Sequence, residues 1–269
     1  MVEIGVTGTP FRAATIAAGA AMAAEAGGAH AIWYPDGLDR SLVTRREAGE
    51  IVAGVALDPT DVADPVITAS IALLVARRVR VGILGWDPGD DAGRAARAVA
   101  TLADLAPGRV ILACTGADAS ITGLAEELRS DLDIELSVYG QSPSVAARLG
   151  WGWIGSVQSA TALAKHAGDA GVVGALGIHL PVFVHEDADV ARRGAAGPLV
   201  GRAELSGDAV VVGTGTDLEA AIAEYVSLGT TRIVIDNALP YALPEELESS
   251  QAVIRSAIRT ARLRHRETS

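Results

Sequence analysis

Several short apolar runs in the chain end at a residue whose side chain could take part in chemistry. The set comprises Thr7, Asp36, Trp86, Asp87, Cys114, Thr115, His179 and Asp236, and Gly116 follows Thr115 at the same place. Carboxylates, hydroxyls and imidazoles can orient a ligand or move a proton, a thiol can act as a nucleophile, and an indole can stack on a ring. These residues can act together only if the fold brings the ends of the apolar runs to one place.

One further run, Gly140-Gln141-Ser142-Pro143-Ser144, has the composition of an anion site. Small residues let the backbone approach a phosphate closely, and the two serines supply hydroxyl donors. Pro143 begins a predicted helix, whose first N–H groups would point at the anion. The alternative is an ordinary helix cap at Ser142.

Each of the other candidates also has a purely structural interpretation. Asp36 could orient a substrate or a cofactor, or it could cap the loop before Gly37. Cys114 could lie beside a cofactor, or it could be a small buried apolar residue, as free cysteines usually are. Trp86 could stack on a cofactor ring or cover the core, and Thr7 could reach a pocket or close a turn.

The histidines do not suggest a metal centre. His30, His166, His179, His185 and His265 show no metal-ligand spacing with one another or with nearby carboxylates. His179 lies in the apolar run GIHLPVFVH, and we expect it to be a buried core residue rather than a residue of a pocket mouth. If it does face a pocket, an acid–base pair with Asp36 would suit a lyase or isomerase.

The residues from 80 to 116 show which elements would position these candidates. The apolar run Val81–Leu84 is followed by a segment with apolar residues at helical spacing, which ends at Pro107-Gly108. A second apolar run, Val110–Ala113, comes next. A strand, a crossover helix and a second buried strand form a parallel β-α-β unit.

The rest of the chain repeats this alternation without a linker. Roughly eight strands, each followed by a helix, predict one domain over residues 1–269 with a (β/α)8 barrel fold of the α/β class. An open doubly wound sheet is the alternative, but the run Gly5–Pro10 lacks the third glycine of the dinucleotide fingerprint. In a barrel the C-terminal ends of the strands meet at one mouth, which would gather the candidate residues.

Three local predictions concern the connections. The polar stretch with Arg40, Arg45 and Arg46 is predicted to be a loop, which could meet an acidic group or simply be solvated. Ile121–Leu132 is predicted to be a helix. A capping box is predicted at Thr216–Glu219.

The composition limits the kinds of partner. A formal net charge of −11 argues against nucleic acid, because phosphate contacts need clustered Lys and Arg. No apolar run reaches the ~18 residues that would predict a membrane span. The first residues lack the basic lead of a secretory signal, and Cys114 is the only cysteine, so we expect a cytoplasmic protein without intrachain disulfides.

Several segments, in the correct order, resemble the luciferase-like flavin and deazaflavin oxidoreductases. They are Met22–Gly27, Ala31–Asp36, Asp64-Pro65 with the helix that follows, Arg80–Ile83, Leu105–Leu112, Val212–Thr214 and Leu228-Gly229. The resemblance implies a (β/α)8 barrel that binds FMN or coenzyme F-420 at its mouth. It implies hydride transfer to or from a small organic substrate, or oxygenation of it. It also implies a homodimer, for which the apolar helices Ala13–Ala24 and Val66–Ala76 could provide the surface.

The resemblance and the position of the barrel mouth together give two sets of candidate residues. Asp36 and Cys114 are the catalytic candidates. The candidates for cofactor binding are Thr7, Trp86, Thr115, Gly116, Gly140, Gln141, Ser142 and Ser144, of which the last four would hold the cofactor phosphate.

Three features depart from the pattern of the family. Gly37 stands where many deazaflavin-dependent members have a histidine, and Trp86-Asp87-Pro88-Gly89 differs from the usual loop after the third strand. The chain is also short, so the insertion that often covers the active site is expected to be reduced. A barrel that binds a ligand or a partner subunit without turnover is therefore an alternative.

Overall fold

The computed structural model describes residues 2–8, 14–36, 44–47, 50–53, 64–140, 143–156, 158–199, 209–237 and 244–267. Its strands are β1 (Glu3–Thr7), β2 (Ala31–Pro35), β3 (Thr44–Glu47), β4 (Glu50–Ala53), β5 (Arg80–Trp86), β6 (Val110–Cys114), β7 (Ile134–Tyr139), β8 (Gly152–Ser156), β9 (Leu176–Val184), β10 (Val211–Gly213) and β11 (Arg232–Asn237). Its helices are α1 (Ala14–Ala26), α2 (Pro65–Val75), α3 (Ala92–Leu105), α4 (Asp118–Glu127), α5 (Pro143–Leu149), α6 (Ala160–Ala170), α7 (Ala188–Leu199), α8 (Gly215–Ser227) and α9 (Pro244–Glu267).

Eight parallel strands close into a barrel, which confirms the predicted (β/α)8 fold. The order around the barrel is β1, β2, β5, β6, β7, β8, β9 and β11, and β11 pairs with β1 to close the ring. The short strand β10 pairs with the last residues of β9, beyond the barrel proper. The predicted loop with Arg45 and Arg46 is instead an antiparallel hairpin of β3 and β4, while Arg40 lies outside the described residues.

Side chains at the helix ends explain where several helices begin. Asp64 caps α2, because its carboxylate accepts hydrogen bonds from the N–H groups of Val66 and Ile67, with Pro65 at the first position. The capping residue of α8 is Thr214 rather than Thr216, and Asp217 accepts hydrogen bonds from the backbone N–H and the hydroxyl of Thr214.

The helix predicted over Ile121–Leu132 lies further towards the N-terminus, as α4. The helical spacing of the apolar residues correctly predicted that a helix is present in this segment. Its bounds depend on contacts with the neighbouring helices, which sequence periodicity does not contain.

Two apolar clusters separate the outside of the barrel from its inside. The larger one contains residues of both strands and helices and lies between these two layers. The smaller one draws its members from strands alone, so it fills the barrel interior: Ala31, Trp33, Leu84, Ile111, Ala113, Ile154 and Val234. Trp33 is its largest member and is fully buried.

Two glycines make room for the Trp33 side chain. A Cβ atom on Gly82 would lie 2.3 Å from the indole, and one on Gly5 would lie 2.6 Å from its Nε1 atom. These two residues are on β5 and β1, the strands on either side of β2, which carries Trp33. Any residue larger than glycine at position 5 or 82 would therefore clash with the indole.

Below the apolar interior, four charged residues form a closed ring at the N-terminal end of the barrel. Arg80 contacts Glu3 at 2.7 Å and Glu135 at 2.8 Å. Arg232 contacts Glu3 at 3.1 Å and Glu135 at 2.7 Å, and its guanidinium lies 5.5 Å from the ring centroid of Trp33. Each charge thus has two partners of opposite sign, which offsets the cost of removing it from water.

Candidate active site at the C-terminal mouth

A chain of four polar side chains crosses the barrel just above the apolar interior. The Thr7 hydroxyl donates a hydrogen bond of 2.6 Å to Oδ1 of Asp236. The other carboxylate oxygen of Asp236 lies 3.3 Å from Nε2 of His179. The opposite ring nitrogen of His179, Nδ1, lies 2.8 Å from the Tyr139 hydroxyl, which completes the chain.

The two-residue period of β-strands places these side chains in one layer. On β1, β7 and β11 a member of the charged ring lies four residues before a member of the polar chain, on the same face. These pairs are Glu3 with Thr7, Glu135 with Tyr139, and Arg232 with Asp236. The barrel interior is therefore a stack of three layers, with charged residues at the bottom, apolar residues in the middle and the Thr7-Asp236-His179-Tyr139 chain at the mouth.

His179 lies at the centre of this chain and is 2% exposed. This confirms that it is buried, as expected, but it faces the barrel interior and contacts two polar groups. Within the part of the chain that the structure describes, its Nε2 atom has no hydrogen-bond partner, although Oδ2 of Asp236 lies 3.3 Å away. Nε2 and this carboxylate therefore form a close polar contact at the floor of the mouth.

The charge on Asp236 is favoured by its neighbours. Burial raises the pKa of this carboxyl, but the contacts with His179 and with the Thr7 hydroxyl outweigh burial, so its pKa lies below the ordinary value. An ionised Asp236 favours the His179 tautomer that carries its proton on Nε2. Nδ1 is then free to accept the hydrogen bond of the Tyr139 hydroxyl.

Asp36 lies at the rim of the mouth rather than in the polar chain. Its pKa is raised, chiefly by burial and further by the nearby carboxylates of Asp64 and Asp87, although a hydrogen bond with the backbone of Asp87 lowers it. Gly85 lies between Asp36 and Tyr139. A Cβ atom on Gly85 would be 3.2 Å from the Asp36 carbonyl oxygen and 3.2 Å from the Tyr139 ring. The pairing of Asp36 with His179 that a lyase or isomerase would use is replaced by the pairing of His179 with Asp236.

The catalytic candidate Cys114 faces the helices. It is fully buried in the outer apolar cluster, and burial raises the pKa of its thiol, to which the Asp87 charge adds. Trp86 belongs to the same cluster, because the register of β5 shifts between Leu84 and Trp86. The structure therefore does not bring Cys114 and Trp86 together with the polar chain.

The other predicted site residues have varied positions. Thr115 follows β6, and its N–H donates to the Trp86 carbonyl. Gly116 lies against Asp87, whose carboxylate would be 2.6 Å from a Cβ atom at that position. Gly140 is exposed at the end of β7, and Ser144 is exposed in the first turn of α5. Gln141 and Ser142 lie outside the described residues.

Tyr139 is the member of the polar chain that the sequence analysis did not single out. It is the last residue of β7, and its ring is tilted by 52° to that of His179 with the centroids 5.9 Å apart. The signal was available, because the strand IELSVY alternates and places Tyr139 on the same face as Glu135.

A cleft lies at the other end of the barrel. It has a volume of about 570 Å³ and is lined in part by Glu3, Glu25, Arg78 and Arg80. These charges already pair with one another, Glu25 with Arg78 and Glu3 with Arg80. In barrels of this type the N-terminal face serves stability and the C-terminal face carries chemistry, so we place the candidate site at the mouth.

No group of three or more His, Cys, Asp or Glu among the described residues could hold a metal ion. None of the helices described is long and apolar enough to cross a membrane.

Comparison with known proteins gives no match by sequence but many by structure. No family model matches the chain, and no curated protein matches it. A coenzyme F-420-dependent secondary alcohol dehydrogenase, solved with an F-420–acetone adduct, superimposes with a TM-score of 0.69 at 15% identity. That alignment covers 97% of this chain and 99% of the other.

Two other solved structures have the same fold. The FMN complex of the oxygenating constituent of 3,6-diketocamphane monooxygenase from Pseudomonas putida has a TM-score of 0.64 at 14% identity, over 94% of this chain and 97% of its own. The coenzyme F-420-dependent tetrahydromethanopterin reductase of Methanopyrus kandleri has a TM-score of 0.62 at 12% identity, over 95% and 97%. The resemblance to the luciferase-like oxidoreductases is thus confirmed at the level of the fold.

Proposed function

We propose that this protein is an oxidoreductase that binds coenzyme F-420 or FMN at the mouth of the barrel and acts on a small organic molecule. The observation that carries this proposal is the polar chain across the mouth, inside a barrel whose fold is shared with enzymes that use these cofactors. When bound, such a cofactor supplies hydride transfer or, with FMN and oxygen, oxygenation. The protein supplies the binding site, the orientation of the substrate and the proton-carrying groups.

The residues present at the mouth fit a group of this kind. The floor offers hydroxyl, imidazole and carboxylate groups, from Thr7, Tyr139, His179 and Asp236. Gly85 adopts a left-handed conformation with φ 72° and packs closely between the Asp36 carbonyl and the Tyr139 ring. The polar groups of the floor and the Asp36 carboxyl at the rim would contact the cofactor.

We further propose roles for the predicted site residues around the floor. The segment from Gly140 to Ser144 would hold the cofactor phosphate at its backbone and hydroxyl groups. Thr115 and Gly116 would line the mouth beside it. Asp36 would orient the substrate or the ring from the rim, while Cys114 and Trp86 would contribute to the wall only from behind.

The first test is an absorption spectrum of the purified protein, followed by titration with FMN and with F-420. A Ser144→Glu variant adds a negative charge to the first turn of α5, where it suits the helix but repels a phosphate. We expect its cofactor affinity to fall at least about tenfold, which corresponds to ~1.4 kcal/mol. The matched control is Ser227→Glu, an exposed serine at the far end of α8.

The outcomes separate the alternatives. If neither cofactor binds the wild-type protein, the proposal is wrong. If a cofactor binds but is never turned over with a broad panel of substrates, the protein is a binding barrel without catalysis. If Ser144→Glu and Ser227→Glu bind equally well, the phosphate lies elsewhere.

We also propose that two copies associate through α1 and α2. Large apolar side chains on these packed helices are exposed, namely Ile16, Met22, Ile67 and Leu74. Ile67 and Leu74 are two helical turns apart, so they lie on one face. A patch of this kind is typical of a protein interface.

A further inference from the structure

We infer that Tyr139 exchanges a proton with the oxygen atom of an alcohol or carbonyl substrate, and that His179 and Asp236 position it and take up its proton. This inference rests on the proposed function and narrows it to one substrate class. Its basis is the arrangement of the Thr7-Asp236-His179-Tyr139 chain.

The order of the chain gives each member a separate task. Tyr139 is half-buried at the end of β7, whereas His179 is almost fully buried behind it. A substrate in the mouth can therefore contact Tyr139 but not His179. The Thr7 hydroxyl fixes one oxygen of Asp236 at 2.6 Å and leaves the other to face His179.

Among the described residues, two titratable groups contact the His179 ring. β7 contributes the Tyr139 hydroxyl and β11 contributes the Asp236 carboxylate. On β8 the residue in register with His179 is Ser156, which carries no charge. The charged ring of the barrel is on the far side of the apolar layer. A proton that leaves Tyr139 therefore passes to Nδ1 of His179.

The reaction balances in the oxidising direction. The alcohol carbon loses a hydride to the oxidised deazaflavin or flavin of the proposed function, and a carbon–oxygen double bond forms. The alcohol oxygen gives its proton to the Tyr139 oxygen, while the Tyr139 proton moves to Nδ1 of His179. The resulting imidazolium lies beside the Asp236 carboxylate, which stabilises its charge. Reduction of a ketone or aldehyde follows the same steps in reverse.

The first arm of the test needs neither cofactor nor substrate. Nuclear magnetic resonance of the protein labelled with ¹⁵N-histidine reports the tautomer of His179. We expect Nε2 to carry the proton and Nδ1 to accept a hydrogen bond, and we expect Tyr139→Phe to change the Nδ1 resonance. A wild-type ring protonated on Nδ1 at neutral pH, or an Nδ1 resonance unchanged by Tyr139→Phe, overturns the inference.

The second arm compares Tyr139→Phe with Tyr34→Phe. Tyr34 is a matched control, because its hydroxyl donates a hydrogen bond to the Ala17 carbonyl, but it lies in the outer cluster. Both variants should bind the cofactor within about twofold of the wild type. With a panel of primary and secondary alcohols, Tyr139→Phe should lose at least about 100-fold in oxidation rate, and Tyr34→Phe should not.

The outcomes distinguish this inference from the proposed function. If the wild type binds neither cofactor, both fail. If it binds a cofactor but oxidises no alcohol in the panel, or if Tyr139→Phe keeps the wild-type rate, only the inference fails. Asp236→Asn gives a further check, since it should shift the pH dependence of the rate without removing the Tyr139 hydroxyl. An unchanged pH profile in this variant contradicts the positioning role of Asp236.

Discussion

Replacement of Arg232 by methionine tests the charged ring at the base of the barrel. The side chain of Arg232 is 4% exposed and contacts both Glu3 and Glu135. Methionine fills a similar space but carries no charge. Within the ring, Glu3 and Glu135 would then have only Arg80 as a partner of opposite charge. Removal of one partner from a buried ion pair costs about 3–5 kcal/mol, a large part of the 5–15 kcal/mol that usually stabilises a domain.

The assay is urea unfolding followed by tryptophan fluorescence at pH 7 and pH 5. Burial raises the pKa of Glu135, but Arg232 and Arg80 lower it further, so its pKa lies below the ordinary value. The charged carboxylate therefore stabilises the wild-type fold above its unfolded pKa, and this contribution is lost as the pH falls through the folded pKa. In Arg232→Met, one of the two cations that lower the pKa of Glu135 is absent, so burial raises this pKa above its value in the wild type. The loss of stability in Arg232→Met should thus be smaller at pH 5.

The matched control is Arg129→Met. Arg129 pairs with Asp131, and their side chains are 67% and 64% exposed, so its loss should leave the midpoint of unfolding almost unchanged. A difference of less than about 1 kcal/mol between Arg232→Met and the wild type at pH 7 would refute the role given to the ring. An equal loss at both pH values would refute its electrostatic explanation.

Two further predictions concern packing and assembly. Gly82→Ala should destabilise the protein by about 1–3 kcal/mol in urea unfolding, because its Cβ meets the Trp33 indole. The control Gly19→Ala, in an open position of α1, should stabilise the protein by about 0.5–1 kcal/mol. A Gly82→Ala variant as stable as the wild type would contradict the packing described. If two copies associate through α2, Leu74→Arg should reduce the mass measured by light scattering to that of a monomer. Leu263→Arg, at a similarly exposed position of α9, should leave the mass unchanged. The same mass for the wild type and both variants would exclude this interface.

The sequence predicted the fold because its signals are local. The alternation of apolar runs with amphipathic segments is set by the two periods of backbone structure, 2.0 and 3.6 residues. The cap at Asp64 and the end of α3 at Pro107-Gly108 depend only on neighbouring residues, and both are found in the structure. The hairpin of β3 and β4 was missed, because β3 (TRRE) has no apolar residue and β4 (EIVA) does not alternate between apolar and polar residues.

The candidate site was less predictable. The sequence placed Thr7, His179 and Asp236 at the ends of apolar runs, but it did not show that these residues contact one another across 229 positions of chain. It also assigned Cys114 and Trp86 to the mouth, since both end a strand. The register shift in β5 and the pairing of β6 turn these two side chains towards the helices.

Local periodicity thus predicted the alternation of parallel strands and helices, which a barrel and an open doubly wound sheet share. Which strand-end residues face the interior, and which partner each one has, depends on the pairing of strands that are distant in sequence. Closure of the barrel fixes the register of these strands, and a shift of one residue turns a side chain from the interior to the helices. The hydrogen bond between Thr7 and Asp236 exists only because β1 pairs with β11 to close the barrel.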